Sequence, residues 1–304
     1  MDKIAFVFAG QGAQAPGMGK DLYESIPSVR PVFDRAEALR PGTLRQCFEG
    51  PAEELTQTVN AQPCLFLVDY ACALAAREIA GQPAFAAGFS LGEMAAAAFS
   101  GLLSFEEAFR LVITRATLMQ DCAERHPGAM FAVVKLTAEK VVALCRSLPE
   151  AYPVNFNGPG QTVVACALES AEALQAAARA DGGRAIRLNV SGAFHSPFMA
   201  EAAKGMRKAL EGVSFGTPAV PVYANRTAQP YEAGAEAETL ANQISSPVRW
   251  QETVERMVGQ GATLFVEVGP GTTLAGLIQK IHPGVETANV GDMSGFAAFK
   301  GRFS

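Results

Sequence analysis

Apolar positions along the chain follow two rhythms, short unbroken runs and longer stretches with a period of three to four residues. The order in which they alternate predicts the fold. Ile4-Ala5-Phe6-Val7-Phe8 is a continuous apolar run that ends in Ala9-Gly10-Gln11-Gly12, which predicts a buried parallel strand entering a glycine loop. Helical patterns then dominate to residue 80. The clearest runs from about Gln62 to Ala80, with Leu65, Val68, Cys72 and Ala75 or Ala76 on one side. Ala84–Ala87 is again a short apolar run, followed by a helix-forming stretch, Leu91–Phe99. Ser104 with Glu107 three residues on is a capping box that opens a helix reaching about Arg125.

The rhythm then changes. Met130–Leu136 predicts a strand, Thr137–Leu148 a helix, Pro153–Phe156 and Thr162–Leu168 strands around the turn Asn157-Gly158-Pro159-Gly160, Ser170–Ala180 a helix, and Arg184–Val190 a strand. This βαββαβ order is that of a ferredoxin-like unit, inserted in a larger α/β region. The larger pattern resumes with strands at Pro221–Ala224 and Thr263–Val268, a helix near Val248–Gly259, and a final helix, Thr272–Ile281; the last dozen residues have no clear period. The expected fold class is α/β: a large α/β-hydrolase-like domain with a central, mostly parallel sheet (1–126 and 192–304) and a ferredoxin-like small domain (127–191). No internal repeat or low-complexity tract interrupts it.

Composition narrows the class. The chain has 304 residues, 49% of them apolar, enough for a sizeable core, and a formal net charge of −5. The absence of a long basic run argues against nucleic acid as a partner. The six cysteines form no CxxC pair and no metal-ligand spacing, and each sits in an apolar stretch, so buried reduced thiols and no metal are expected. The N-terminus lacks the basic start and long apolar segment of a secretion signal, and no stretch reads as a membrane span. The expectation is a cytoplasmic chain without membrane contact, and a monomer.

Candidate chemistry centres on Gly88-Phe89-Ser90-Leu91-Gly92, a GxSxG motif between an apolar run and a helix. That is the context of a nucleophile elbow, where flanking glycines permit a turn sharp enough to raise the serine oxygen above a sheet. A serine hydroxyl needs a base. Of three histidines, His126 and His282 each precede a Pro-Gly turn, whereas His195 stands where the small domain hands back to the large one, a common position for a cleft. Glu201 is the only acid close to His195 in sequence, so a distant acid or a backbone carbonyl remains to orient the ring. Arg115 has Leu111, Val112, Leu118 and Met119 as its helical neighbours, which puts a guanidinium on a buried face. Its anion is either an internal carboxylate or a substrate carboxylate. Arg110, beside Glu106 and Glu107, reads as an ordinary solvated pair. Gln11, at a strand end, is a candidate second oxyanion donor beside Leu91, both through backbone N–H groups. Gly10, Gly12 and Gly17 do not fit a dinucleotide fingerprint.

These residues resemble the malonyl-CoA–acyl carrier protein transacylases and the related acyltransferase domains of polyketide synthases. Phe8-Ala9-Gly10-Gln11-Gly12-Ala13-Gln14 is similar to the opening GQGxQ motif, and Gly88 to Glu93 to the GHSLGE segment. Thr114-Arg115-Ala116, Pro153 to Gln161, Phe194-His195-Ser196, Gln243 to Trp250 and Glu267 to Gly271 match further landmarks in order. The resemblance implies Ser90 as nucleophile, His195 as base, Gln11 and Leu91 N–H groups as oxyanion hole, Arg115 as the malonyl carboxylate ligand, and Gln243 as the carbonyl that holds the histidine. It implies that Phe194 crowds out an α-methyl group. The chain departs from the pattern at Phe89, where the family usually has histidine; this alters the acyl-pocket lining rather than the base.

The implied reaction passes malonyl from malonyl-CoA to Ser90 and then to the phosphopantetheine thiol of acyl carrier protein, with CoA as product and no permanently bound cofactor. Phe89, Phe194 and Phe198 are expected to keep water from the ester. Arg184, Arg187, Lys204 and Lys280 are candidates for docking the acidic carrier. A polyketide-synthase acyltransferase working in trans, a serine thioesterase or hydrolase, and a non-catalytic acyl-CoA-binding protein are the competing readings.

Overall fold

A computed structural model describes residues 3–303; Met1, Asp2 and Ser304, and with them the start of the segment read above for a secretion signal, lie outside the described residues. Nine strands are present among these residues: β1 (Lys3–Phe8), β2 (Phe85–Gly88), β3 (Gly128–Val134), β4 (Ala151–Gly158), β5 (Gln161–Ala167), β6 (Arg184–Arg187), β7 (Val222–Tyr223), β8 (Ala262–Val268) and β9 (Glu286–Val290). They form a five-stranded sheet in the order β7-β2-β1-β8-β9 and a four-stranded sheet in the order β4-β5-β3-β6. Every pairing in the first is parallel and every pairing in the second antiparallel.

The unbroken apolar run of β1 follows from its central place. Ile4, Phe6 and Phe8 face one helical layer and Ala5 and Val7 the other, so neither face meets water. Phe6 and Phe8 both pack on Phe99 at 5.7 Å between ring centroids. Each such ring contributes about 2 kcal/mol through burial alone. Beneath that face lies the helix Thr58–Ala80, whose middle is buried all round. This corrects the sequence reading that no stretch approaches a membrane span. The helix is long and apolar enough, with a mean hydropathy of 1.3, but 83% of that stretch is buried inside the protein.

The small sheet carries the helices Ala138–Arg146 and Ala171–Ala180 and has its own core around Phe131, Val164 and Leu174. In order of appearance its strands stand 2-3-1-4, the ferredoxin-like arrangement. It joins the larger sheet's layer through β4, whose Asn155 bridges Val248. The cleft described below opens along that junction.

Several elements escaped the sequence reading. The tail is not without structure: Glu286–Val290 is a strand and Met293–Lys300 a helix. The strand is an edge strand with only Val290 buried, and the helix buries only Phe299, so neither carries an apolar period. The Thr273–Ile281 helix is therefore not the last. The helices Ala200–Ala209 and Glu236–Gln243 also went unplaced. β6 ends at Arg187, three residues short of the expected Val190.

Candidate active site

The elbow is built by glycine. β2 ends at Gly88, Ser90 takes a strained positive-φ backbone (φ 54°, ψ −101°), and the helix Leu91–Phe99 begins at the next residue. A Cβ on Gly88 would sit 1.8 Å from the Gly92 carbonyl carbon, and one on Gly92 would sit 2.3 Å from the Phe8 oxygen. No side chain fits at either place. The strained serine is held by Asn225, which follows β7. Its Oδ1 accepts from Ser90 N–H at 2.7 Å, and its Nδ2 donates to the Gly88 carbonyl at 2.6 Å. Strain of this kind persists only where neighbours over-determine it.

Ser90 Oγ lies 2.7 Å from His195 Nε2, across 105 residues of sequence. His195 also has a positive φ, 60°, and its Nδ1 is 3.0 Å from the Gln243 carbonyl. A carbonyl only accepts, so Nδ1 carries the proton and Nε2 presents a lone pair to the serine. Glu201, the nearby acid in sequence, is elsewhere, paired with Arg125. Burial first, and the Arg115 charge second, push the His195 pKa down from 6.5 to about 4. The resting imidazole is therefore neutral. The expected acid limb of kcat/KM for malonyl-CoA then falls near pH 4, and a limb centred near 6.5 in a pH–rate profile would contradict it. The stability sign is also set. Between pH 6.5 and about 4 the unfolded chain binds a proton that the native site refuses, so acidification through that window destabilises the fold.

Arg115 is 1% exposed and stays cationic, although burial lowers its pKa to about 10. Nη1 donates to Gln62 Oε1 at 2.7 Å; Nη2 donates to Gln243 Oε1 at 2.9 Å and to Ser90 Oγ at 3.2 Å; Nε has no partner. Among the described residues no carboxylate touches this guanidinium. The closest route to one runs through Gln243, whose Nε2 donates to Glu93 Oε2 at 2.9 Å and to the Ser90 carbonyl at 2.7 Å. Glu93 in turn accepts from Asn225 N–H and from the Tyr231 hydroxyl.

Among the described residues the backbone N–H groups of Leu91 and Gln11 have no acceptor. The first opens a helix, where the N–H is unpaired by geometry. The Gln11 side chain is fixed by Thr58 and Gln62. Gln11, Ser90 and His195 line a cleft of about 300 Å³, with Phe89 and Phe194 on its walls and Met130, Asn155 and Val163 of the small sheet opposite; Leu91 and Arg115 lie behind Ser90, off that lining. Phe89 meets Trp250 edge-on, 5.5 Å between centroids. Phe198 does not line the cleft: it packs against Tyr152 at 6.1 Å, so its expected part in excluding water is withdrawn. Phe198→Ala should leave the ratio of hydrolysis to transfer unchanged, as read by free malonate against acyl-carrier product.

All six cysteines are buried and unpaired in disulfides, and no cluster of three or more metal-ligating side chains occurs among the described residues. Glu106 pairs with Arg35 rather than Arg110. Glu267 serves the helix after it, accepting from the N–H groups of Leu274 and Ala275 at 3.0 and 2.8 Å. Asn225, Gln62 and Tyr231 were missed. Only Asn225, at the carboxyl end of a predicted strand, carried a positional signal.

Residues 5–294 match the family model for the acyl transferase domain. The chain belongs to that family. This acyltransferase is 38% identical over 299 residues to the malonyl CoA-acyl carrier protein transacylase of Bacillus subtilis (strain 168), covering 96% of this chain and 94% of that protein. Its fold superposes on the malonyl CoA-acyl carrier protein transacylase of Coxiella burnetii with a TM-score of 0.95 at 33% identity, covering 99% and 98% of the two chains. It superposes equally well on a malonyl-transacylase in complex with its type II polyketide synthase acyl-carrier protein (TM-score 0.94, 36% identity, 99% of each chain).

Proposed function

We propose that this acyltransferase moves a malonyl group from malonyl-CoA to the phosphopantetheine thiol of an acyl carrier protein through a malonyl ester on Ser90. One observation carries the choice of acyl group. A guanidinium that no carboxylate touches stands 3.2 Å from the hydroxyl that lies on the neutral base. In malonyl a single methylene separates carboxylate from thioester carbonyl, so a carboxylate on Arg115 brings that carbonyl over Ser90 Oγ.

Ser90 passes its proton to His195 Nε2 as Oγ attacks. The tetrahedral oxyanion is received by the Leu91 and Gln11 N–H groups, which are preorganised and otherwise without acceptors. CoA leaves as a thiol with the proton from His195. The carrier's thiol then gives its proton to the same nitrogen, attacks the ester, and Ser90 recovers its hydrogen. Gln243 holds the imidazole through its carbonyl and Arg115 through its amide, so one residue aligns base and carboxylate ligand. Phe194, 6% exposed on the wall, narrows the space beside the acyl methylene.

The proposed setting is the cytoplasm, with fatty acid synthesis as the pathway, no resident cofactor, and a monomer as the working unit. Arg184, Arg187, Lys204 and Lys280 are all exposed and remain the proposed contacts for an acidic carrier. The test is to mix protein, malonyl-CoA and holo-acyl carrier proteins of fatty-acid and polyketide type, and to follow the intact masses of both proteins. Malonyl should appear on the enzyme and then on the carrier. Free malonate with no gain in carrier mass would make the protein a thioesterase, and a faster transfer to the polyketide carrier would favour the alternative pathway.

A further inference from the structure

Gln62 reaches both Arg115 and the loop of Gln11. It lies on the Thr58–Ala80 helix, fully buried. Its Oε1 accepts from Arg115 Nη1 at 2.7 Å, and its Nε2 lies 3.3 Å from Gln11 Oε1. One turn earlier on the same helix, Thr58 Oγ1 accepts from Gln11 Nε2 at 3.2 Å. The two ends of the Gln11 amide are thus anchored on a single helical face, and Gln62 joins that anchor to Arg115.

We infer that Gln62 is a positioning residue that sets selectivity for acyl groups ending in a carboxylate, by gripping the Arg115 guanidinium without neutralising it and tying it to the Gln11 loop. The inference rests on the roles read for Ser90 and Arg115 above. Its physical content is the choice of amide. A buried guanidinium must have acceptors, and evolution of a stable core alone would be served by a carboxylate at this distance. An amide oxygen satisfies the hydrogen bond and leaves the positive charge unspent. Gln62 holds Nη1 and Gln243 holds Nη2, so the planar fork is gripped at both amino groups by neutral partners, and Glu93 acts on it only from beyond Gln243, leaving its N–H face open to an incoming anion. Three of the five guanidinium N–H donors are used, and the Nε–H is one of the two left over.

The test compares Gln62→Glu and Gln62→Leu with the parent for transfer from malonyl-CoA and from acetyl-CoA to holo-acyl carrier protein. Gln62→Glu supplies an internal carboxylate, and kcat/KM for malonyl should fall about 100-fold while that for acetyl falls no more than about tenfold, collapsing the preference. The loss should appear mainly in KM, since the removed interaction serves binding of the carboxylate. Gln62→Leu, which loses the grip without adding charge, should shift the ratio the same way by about tenfold and reads the same quantity if the glutamate variant does not fold. Equal losses on both substrates in whichever variants fold would make Gln62 structural and overturn the inference. Failure of the underlying reading looks different: the parent itself would show no preference for malonyl, or Ser90→Ala would still be acylated.

Discussion

Ser90→Ala loses the malonyl adduct entirely and lowers transfer by about 10^5-fold, with the fold intact. In the proposed mechanism the hydroxyl receives the acyl chain, and none of its neighbours replaces it: His195 Nε2 at 2.7 Å and Arg115 Nη2 at 3.2 Å are both poised to serve the oxygen rather than to substitute for it. The cysteines give no bypass, since all six are buried. Stability should change little, because Ser90's backbone, through its N–H to Asn225 and its carbonyl to Gln243, makes the structural bonds, and alanine keeps both. The measurement is intact mass of the protein after mixing with malonyl-CoA, alongside a melting curve. A persisting adduct would place the nucleophile elsewhere and sink the proposed mechanism.

Arg115→Ala should lower kcat/KM for malonyl-CoA by about 10^3-fold, the range expected when one partner of a buried, hydrogen-bonded charge pair is removed. Acetyl-CoA, with no carboxylate, has no such pair to lose. Its transfer should fall far less, so that the variant's preference inverts. The change also removes a cation from beside His195, and that cation is the second cause of the imidazole's low pKa. The acid limb of the remaining acetyl activity should therefore move upward from about pH 4. A merely structural arginine fails the first test, because both acyl groups would suffer alike; the limb moves in either case, since the cation acts on His195 whatever it binds. Steady-state kinetics on the two thioesters across pH decides between them.

Most of the frame was legible because apolar rhythm reports burial. β1 and β2 are buried on both faces and read as unbroken runs, and the small unit's strands and helices alternated cleanly enough to give a ferredoxin-like order that the sheet pairing bears out. The Ser104 cap was also readable, since Ser104 Oγ does accept from Glu107 N–H. What failed were elements whose packing is one-sided or slight: the edge strand Glu286–Val290 and the helix Met293–Lys300 with a single buried phenylalanine.

By itself the sequence determined that a serine stands in a glycine-flanked turn, that only three imidazoles are available to it, and that a guanidinium sits on a buried helical face; each is a local property of type and spacing. Tertiary structure decided how these groups work. It brought residues 90 and 195 to hydrogen-bond distance, gave the ring a carbonyl rather than an acid as its anchor, and surrounded Arg115 with amides. It also removed Phe198 from the cleft and recruited Gln62 and Asn225. The reason is physical. A nucleophile's reactivity and a cation's availability depend on which dipoles and charges lie within a few ångströms, and those neighbours come from elements far apart in the chain, whose packing no local pattern encodes.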